Sequence, residues 1–196
     1  MKEIKIYFDT NIADNIFTAI LWEEGRKDKK FSYSKHFDMS KNVIALRYLL
    51  DLDNQWCLKI GTSPQMKKEI DRIRLTKDFN YYKEKYPFLS SIYDSLSENF
   101  VQEGIGHSEV SKIDIIERLV QNPDDVRHLS DFIKSGWDVF LTLDFKHILT
   151  CKKDLEQYEI DVESPLGFLE RFLDLETLMR ILHGSWATNY IIEPQQ

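Results

Sequence analysis

The chain opens with a short segment in which charged and apolar side chains alternate. Residues 3–8 contain two isoleucines, a tyrosine and a phenylalanine, a pattern typical of a β-strand. The segment ends at Asp9, and Thr10 or Asn11 can cap a helix that extends to about Leu21. A strand that leads directly into a helix favours an α/β fold.

Similar patterns predict further helices and strands in the first half of the chain. Apolar residues at helical spacing indicate helices, and short apolar runs bounded by turn residues indicate strands. The predicted elements are a polar loop over residues 24–37, a helix from Ser40 with Val43, Leu46, Leu49 and Leu50 on its apolar face, a strand from Trp56 to Gly61, a helix capped by Thr62 or Ser63, and helices over residues 75–105 with a loop at Gly104–Gly106.

The second half of the chain is predicted to alternate helices with two short strands. Its elements are a helix over residues 113–120, a helix that follows the Asn122-Pro123 turn and ends near Gly136, a strand from Asp138 to Thr142, a strand from Glu159 to Val162, a long amphipathic helix from Pro165 to beyond Ile181, and a tail from about His183. This order continues the α/β pattern of the first segment.

Length and composition indicate a folded globular protein. The chain has 196 residues, of which 42% are hydrophobic, enough for one domain or for one domain with an appended helical piece. Its two cysteines, Cys57 and Cys151, have neither zinc-site spacing nor a disulfide framework, which favours buried thiols in a reducing compartment. No segment has the pattern of a signal peptide or the length of a membrane span, so we expect a cytoplasmic protein without a membrane partner.

The formal net charge of −7 restricts how the protein could handle nucleic acid. Proteins that bind nucleic acid through bulk electrostatics are normally basic. This chain would have to use a local basic patch together with bound cations. An excess of acidic residues fits a site that gathers carboxylates around a metal, and it fits a solvated surface equally well.

Four acidic residues occupy positions where an α/β sheet gathers ligands. Asp9 follows the first strand and Asp144 follows the Val139–Leu141 segment, whereas Glu69 and Asp125 lie near predicted helix starts. The carboxyl ends of parallel strands meet at one edge of the sheet, so residues distant in sequence can meet there. Helix starts usually face the same edge.

Carboxylates that lie close together remain ionised when a cation compensates their charge. Mg²⁺ and Mn²⁺ take oxygen ligands and keep several waters, which leaves room for a phosphate oxygen. Such an ion can activate water and stabilise charge on a phosphodiester. The four acids therefore predict a divalent-metal site suited to phosphodiester hydrolysis.

Several of these segments resemble the motifs of PIN domains, the fold of VapC-type toxins and related ribonucleases. Taken singly each motif is weak, but five in the right order are fairly specific. The segments are Phe8-Asp9-Thr10-Asn11-Ile12; Thr62-Ser63 followed by Glu69-Ile70; Asp125-Val126-Arg127-His128-Leu129; Gly136-Trp137-Asp138-Val139-Phe140-Leu141-Thr142-Leu143-Asp144; and Ile160-Asp161-Val162-Glu163-Ser164-Pro165 followed by Phe168-Leu169.

The resemblance implies a three-layer α/β/α sandwich with a central, mainly parallel sheet. It implies Mg²⁺- or Mn²⁺-dependent cleavage of RNA, with Asp9, Glu69, Asp125 and Asp144 as catalytic metal ligands. The domain would span residues 1–170 with a helical insert at about 75–122, and residues 171–196 would form an extra C-terminal helix and tail packed on it. The larger insert and the extra helix depart from the pattern of a small toxin.

Three further residues are expected to support the metal ligands. Asn11 and Thr142 would orient the acids or a bound water. Asp124 competes with Asp125 for the third acidic position of the family. Asp125 lies eleven residues before Gly136, as the family usually has it, so we assign Asp125 as the ligand and Asp124 as the helix cap.

Each of these residues also has a purely structural interpretation. Asp9 could cap the helix that follows it, and Asp144 could be a turn residue. Glu69 could be a solvated ion-pair partner of Arg72. We interpret His128 as a structural histidine, because a metal-dependent site of this kind needs no general base.

Three functions compete at this point. The first is an endoribonuclease that acts on RNA, either as a toxin paired with an antitoxin protein or in RNA processing, and as a monomer or a homodimer. The second is a non-catalytic PIN-like module that binds protein or RNA. The third is an aspartyl-phosphate phosphatase, which is disfavoured because Asn11 stands where that chemistry needs a second acid.

Overall fold

The computed structural model describes residues 3–23, 39–52, 58–73, 79–101 and 107–183. Within these ranges four strands form one parallel sheet in the order β2-β1-β3-β4. The strands are β1 (Ile4–Phe8), β2 (Leu58–Gly61), β3 (Val139–Leu141) and β4 (Val162–Glu163). Ile6 of β1 is in register with Ile60 on one side and with Val139 on the other. The parallel α/β prediction is confirmed.

The described part of the chain also contains helices between and after the strands. They are α1 (Thr10–Glu23), α2 (Met39–Leu52), α3 (Pro64–Ile73), α4 (Phe79–Ser97), α5 (His107–Leu119), α6 (Pro123–Lys134), α7 (Lys152–Glu156), α8 (Pro165–Glu170) and α9 (Leu175–His183). Parallel strands need crossover connections, usually helices, because the chain must return to the edge of the sheet from which the previous strand started.

The apolar side chains of the central strands alternate between two hydrophobic cores. Ile6 and Phe8 of β1 lie in one buried cluster with residues of α1, α2, α3, α4, α8 and α9. Tyr7 lies in a second cluster with residues of α5, α6 and α7. Successive side chains of a strand point to opposite faces. Helices therefore cover both faces of the sheet, an arrangement compatible with a three-layer α/β/α fold.

The C-terminal region from Pro165 differs from its prediction. The single long helix that the apolar spacing predicted is wrong, because the chain forms α8 and α9 with a break around Asp174. The Asp174 carboxylate accepts hydrogen bonds from the backbone N–H and the hydroxyl of Thr177, and this cap starts α9. Leu178 and Leu182 of α9 are buried in the same cluster as residues of α2.

Other boundaries shift by a few residues. The fourth strand begins at Val162 instead of Glu159, because Glu159 has a positive φ of 58° and belongs to a turn. Helix α5 begins well before the predicted Ile113, and the short helix α7 was not predicted. The predicted loops at 24–37 and at 104–106, residues 56–57 and the tail after His183 lie outside the described residues. In the described ranges, no helix has the length and apolar character needed to cross a bilayer.

Gly61 ends β2 beneath the indole ring of Trp137. A Cβ at Gly61 would overlap the Trp137 ring and would also press against Asn99. The Asn99 side chain donates a hydrogen bond to the carbonyl oxygen of Ile60 (2.7 Å), so it holds the same strand end. This close approach fixes the edge of the sheet from which Thr62 and Ser63 continue.

We expect Gly61→Ala to destabilise the fold by about 1–3 kcal/mol, the usual cost of overpacking a well-filled site. Denaturant unfolding followed by circular dichroism measures this loss. The double variant Gly61→Ala/Trp137→Phe removes the ring atoms that clash, and its loss should be smaller than the sum of the two single losses. Additive losses would show that the contact between Gly61 and Trp137 is not the cause.

Candidate metal centre

Asp9 stands at the junction of β1 and α1 and is buried, with 2% of its surface exposed. Its backbone N–H donates to the Leu141 carbonyl (3.5 Å), which continues the pairing of β1 with β3. One carboxylate oxygen accepts the Ile12 N–H (3.0 Å) and so caps α1. The other accepts the hydroxyl of Thr142. Asp9, instead of Thr10 or Asn11, therefore caps the helix.

Thr142 connects Asp9 to Asp144. Its hydroxyl donates to Asp9 and accepts the backbone N–H of Asp144 (2.9 Å). Its own backbone N–H donates to the Glu163 carbonyl (3.0 Å), so Thr142 is held by β4 as well. The side chain is fully buried. One hydroxyl thus sets the relative position of two carboxylates that come from neighbouring strands.

Asp144 organises the turn that follows β3. One of its oxygens accepts the backbone N–H groups of Lys146 (3.0 Å) and His147 (2.9 Å). The other lies 3.0 Å from Nδ1 of His147. The turn interpretation of Asp144 is therefore correct for one oxygen. The second oxygen faces a group that can itself bind a metal.

Asp125 and Asp124 begin α6 side by side but have different surroundings. The predicted cap at Asp124 is wrong, because Asn122 caps this helix by accepting the Asp124 N–H (3.0 Å), and Pro123 occupies the first helical position. The carboxylate of Asp124 pairs with Arg72 and with Arg127. Asp125 is buried, and among the described residues its Oδ2 has no hydrogen-bond partner.

Asp125, Asp144 and His147 offer three potential ligand atoms that all lie within 4.8 Å of one another. Two are carboxylate oxygens and one is an imidazole nitrogen. Among the described residues this is the group of acidic, histidine or cysteine side chains close enough to share one metal ion. His147 was not selected from the sequence, although its position three residues after Asp144 in a predicted turn was an available signal.

Glu69 of α3 lies in a different environment from these three residues. It accepts a hydrogen bond from the amide of Gln65 (3.0 Å), and its Oε1 lies 3.1 Å from Nε2 of His128. The predicted alternative partner Arg72 instead pairs with Asp124. Glu69 is close enough to Asp125 to raise the pKa of that carboxyl. The structure therefore places it beside the centre and ties it to a histidine.

His128 belongs to a buried chain of polar groups. Its Nδ1 lies 2.7 Å from the Tyr7 hydroxyl, and its Nε2 lies 3.2 Å from the Thr10 hydroxyl as well as near Glu69. The Tyr7 hydroxyl donates to Ser63 (2.7 Å). Each ring nitrogen of His128 thus has a partner inside the fold.

Asn11, which was expected to orient the acids, is exposed in the first turn of α1.

The carboxylates differ in how readily they ionise. Burial raises the pKa of Asp9 to about 7, against the opposing effects of the Thr142 hydrogen bond and of His128. Burial and the nearby charge of Asp144 raise the pKa of Asp125 to about 6. Burial also acts on Glu69, but the hydrogen bond and charge of His128 outweigh it and lower the pKa of Glu69 to about 2. A cation at this centre would favour the ionised forms of Asp9 and Asp125.

Comparisons of this chain with protein-family models, with curated proteins and with solved structures find no match. Its chemistry is therefore inferred from the residues of the centre and from the five segments that resemble PIN-domain motifs.

We expect Asp125→Asn to stabilise the metal-free protein at pH 8 by about 1 kcal/mol, a value reduced for partial solvent screening. The raised pKa means that the folded state holds the Asp125 proton more tightly than the unfolded state does. This contribution to stability is complete below the ordinary carboxyl pKa and is lost as pH rises through about 6. Asparagine does not ionise, so the variant does not lose this stability at pH 8.

Denaturant unfolding in the presence of a chelator, at pH 4.5 and at pH 8, measures this difference. The gain from Asp125→Asn should be present at pH 8 and should shrink at pH 4.5. Asp94→Asn is the matched control, because Asp94 is exposed on α4. A gain that is equal at the two pH values would mean that ionisation of Asp125 does not oppose folding.

Proposed function

We propose that the protein is a divalent-metal-dependent endoribonuclease whose metal is held by the carboxylates at the carboxyl edge of the sheet. The observation that carries this proposal is the Oδ2 atom of Asp125, a buried oxygen without a hydrogen-bond partner in the described structure. A buried carboxylate oxygen that lacks a partner is costly. A cation shared with Asp144 would compensate that cost.

The donor set fits Mg²⁺ or Mn²⁺. Asp125 and Asp144 supply carboxylate oxygens, the ligands that these hard ions take. A bound ion of this kind lowers the pKa of water and stabilises negative charge on a phosphodiester. Asp144 is 13% exposed at its side chain, so the centre can be reached from solvent.

The surrounding residues keep the carboxylates in place. Asp9 already uses one oxygen to cap α1 and the other to accept the Thr142 hydroxyl. We propose that Asp9 acts at the metal as the resemblance implies, while it holds Thr142 and, through it, Asp144. Glu69 lies on the same edge, and its hydrogen bond with His128 keeps it ionised. Asp124, paired with two arginines, stays outside the ligand set.

RNA as the substrate follows from the resemblance of the five segments to PIN domains. A toxin paired with an antitoxin protein, an RNA-processing enzyme and a homodimeric assembly remain predictions of the same resemblance. The two arginines beside the centre, Arg72 and Arg127, are more than half exposed at their side chains. They supply positive charge on a chain of net charge −7, where phosphate groups of RNA would approach.

We expect Asp144→Asn and Asp125→Asn each to reduce metal-dependent cleavage of a single-stranded RNA by more than about 100-fold, because each removes a proposed ligand of the ion that stabilises the reacting phosphate. Cleavage of a labelled RNA in Mg²⁺ and in Mn²⁺, separated on a gel, measures the loss. Asp94→Asn should retain full activity. The proposal is wrong if the wild-type protein cleaves no RNA with either ion, or if both site variants remain active.

We expect Thr142→Val to reduce cleavage about 10- to 100-fold, the usual effect of removing a group that orients a metal ligand. Valine has a similar shape but cannot donate to Asp9 or accept from Asp144. Thr142→Ser keeps the hydroxyl and should retain most of the activity. Equal activity of the valine and serine variants would show that the bridge between Asp9 and Asp144 plays no part in the reaction.

A non-catalytic PIN-like scaffold is the outcome indicated if no RNA is cleaved and no metal binds. Titration with Mn²⁺ and a thermal-shift readout decides between the two functions, because the nuclease requires metal binding that depends on Asp125 and Asp144.

A further inference from the structure

We infer that His147 is a ligand of the metal through its Nδ1 atom, and that the centre therefore selects Mn²⁺ over Mg²⁺. The inference rests on the proposed metal centre and adds to it the identity of the ion. The motif resemblance named carboxylates alone. The geometry of the turn after β3 brings an imidazole to the same point.

The positions of the donor atoms suit one ion. His147 Nδ1 lies 3.0 Å from Asp144 Oδ2. One ring nitrogen of His147, one carboxylate oxygen of Asp144 and one of Asp125 all lie within 4.8 Å of one another. Two ligand atoms at adjacent corners of an octahedron, each about 2.1 Å from the ion, are separated by about 3 Å. The Asp144–His147 spacing therefore matches a shared ion without rearrangement of the turn.

The turn holds His147 firmly. Its backbone N–H donates to Asp144 (2.9 Å), and its carbonyl oxygen accepts the Thr150 hydroxyl (3.1 Å) and the Cys151 thiol (3.4 Å). The side chain remains 41% exposed, so the ring can exchange its contact with Asp144 for a metal at little cost. His128 offers a contrast, because both of its ring nitrogens already have partners inside the fold.

The mixed donor set determines the preference between ions. Mg²⁺ strongly favours oxygen ligands and releases its waters reluctantly. Mn²⁺ accepts the same carboxylates and also binds imidazole, and divalent transition metals gain more from a nitrogen donor. A site with two carboxylates and one imidazole should thus bind Mn²⁺ more tightly than a site with oxygen ligands alone would, whereas Mg²⁺ gains little.

The buried oxygen of Asp125 is an independent indication that the cluster takes a cation. Asp125 is 8% exposed, and its Oδ2 has no hydrogen-bond partner among the described residues. Asp144 and His147 satisfy each other through their contact, but neither of them satisfies this oxygen. An ion placed between the three side chains would give Asp125 the partner that it lacks.

We expect the metal-free full chain to bind Mn²⁺ at one site, more tightly than Mg²⁺, and His147→Asn to weaken Mn²⁺ binding about 10- to 100-fold. Asparagine can still donate to Asp144, so the turn is kept while the imidazole is removed. Mg²⁺ binding should change less than about threefold, because this ion gains little from nitrogen. Electron paramagnetic resonance of free Mn²⁺ gives the affinity for Mn²⁺, and competition gives that for Mg²⁺.

Pulsed electron paramagnetic resonance of the bound Mn²⁺ supplies a readout that is independent of affinity and of activity. The wild-type complex should show coupling to a directly bound imidazole nitrogen, and His147→Asn should abolish it. Thr150→Val is the matched control, since it removes the hydroxyl that holds the His147 carbonyl but removes no proposed metal ligand, and it should retain the coupling.

The possible results separate the two claims. Absence of Mn²⁺ binding by the wild-type protein overturns the metal centre itself and the nuclease proposal with it. Mn²⁺ binding that depends on Asp125 and Asp144, without nitrogen coupling and without a change in His147→Asn, overturns the role of His147 alone. A parallel loss of Mn²⁺ and Mg²⁺ affinity in His147→Asn would show that the residue only orients Asp144.

Discussion

The hydroxyl of Thr142 is the contact on which the rest of the centre depends. Thr142 is fully buried and follows β3. Its hydroxyl donates a hydrogen bond to Asp9, which follows β1, and accepts one from the backbone N–H of Asp144. The pairing of the two central strands therefore fixes the positions of Asp9 and Asp144, and Asp9 in turn caps the first turn of α1. The two hydrophobic cores hold this register, because a slip by one residue would place Tyr7 and Phe8 on the wrong faces.

Negative charge that collects at one edge of a sheet must be balanced locally, and this protein balances it in three ways. Asp124 has arginine partners, and Glu69 has a histidine held by the Tyr7 and Thr10 hydroxyls. Asp9 is stabilised by hydrogen bonds, although burial still raises its pKa to about 7. In the part of the chain that the structure describes, the Oδ2 atom of Asp125 has no hydrogen-bond partner. Of these four carboxylates, Asp125 therefore has the buried oxygen whose desolvation is least compensated within the described structure.

The order of strands and helices was predictable because alternation and capping residues are local signals. Ile4–Phe8 formed the predicted strand, and the Asn122-Pro123 turn began a helix as expected. The break at Asp174 was missed because the apolar spacing continues across it, and only the Thr177 hydrogen bonds reveal the second cap. The start of β4 was misplaced because the sequence around Glu159 does not reveal the positive φ that puts this residue in a turn.

Only part of the candidate centre was predictable from the sequence. Strand ends located Asp9 and Asp144, because the carboxyl edge of a parallel sheet is a topological consequence. The sequence could not show that Asp124 turns to arginines while Asp125 does not, because the two are neighbours with the same chemistry. His147 was missed although its position three residues after Asp144 was an available signal, because the sequence does not show that the turn brings the two side chains together.

Asp9 has two structural roles, and this limits the substitutions that the centre can tolerate during evolution. The Asp9 carboxylate caps α1 and also accepts the hydroxyl of Thr142, which positions Asp144. A substitution at Asp9 would therefore disturb the helix cap and the position of Asp144 together. Asp125 makes no comparable contact through its Oδ2 atom, which has no hydrogen-bond partner within the described structure. If the proposed metal centre were lost during evolution, Asp125 could be replaced first, whereas Asp9 would still be needed to cap α1.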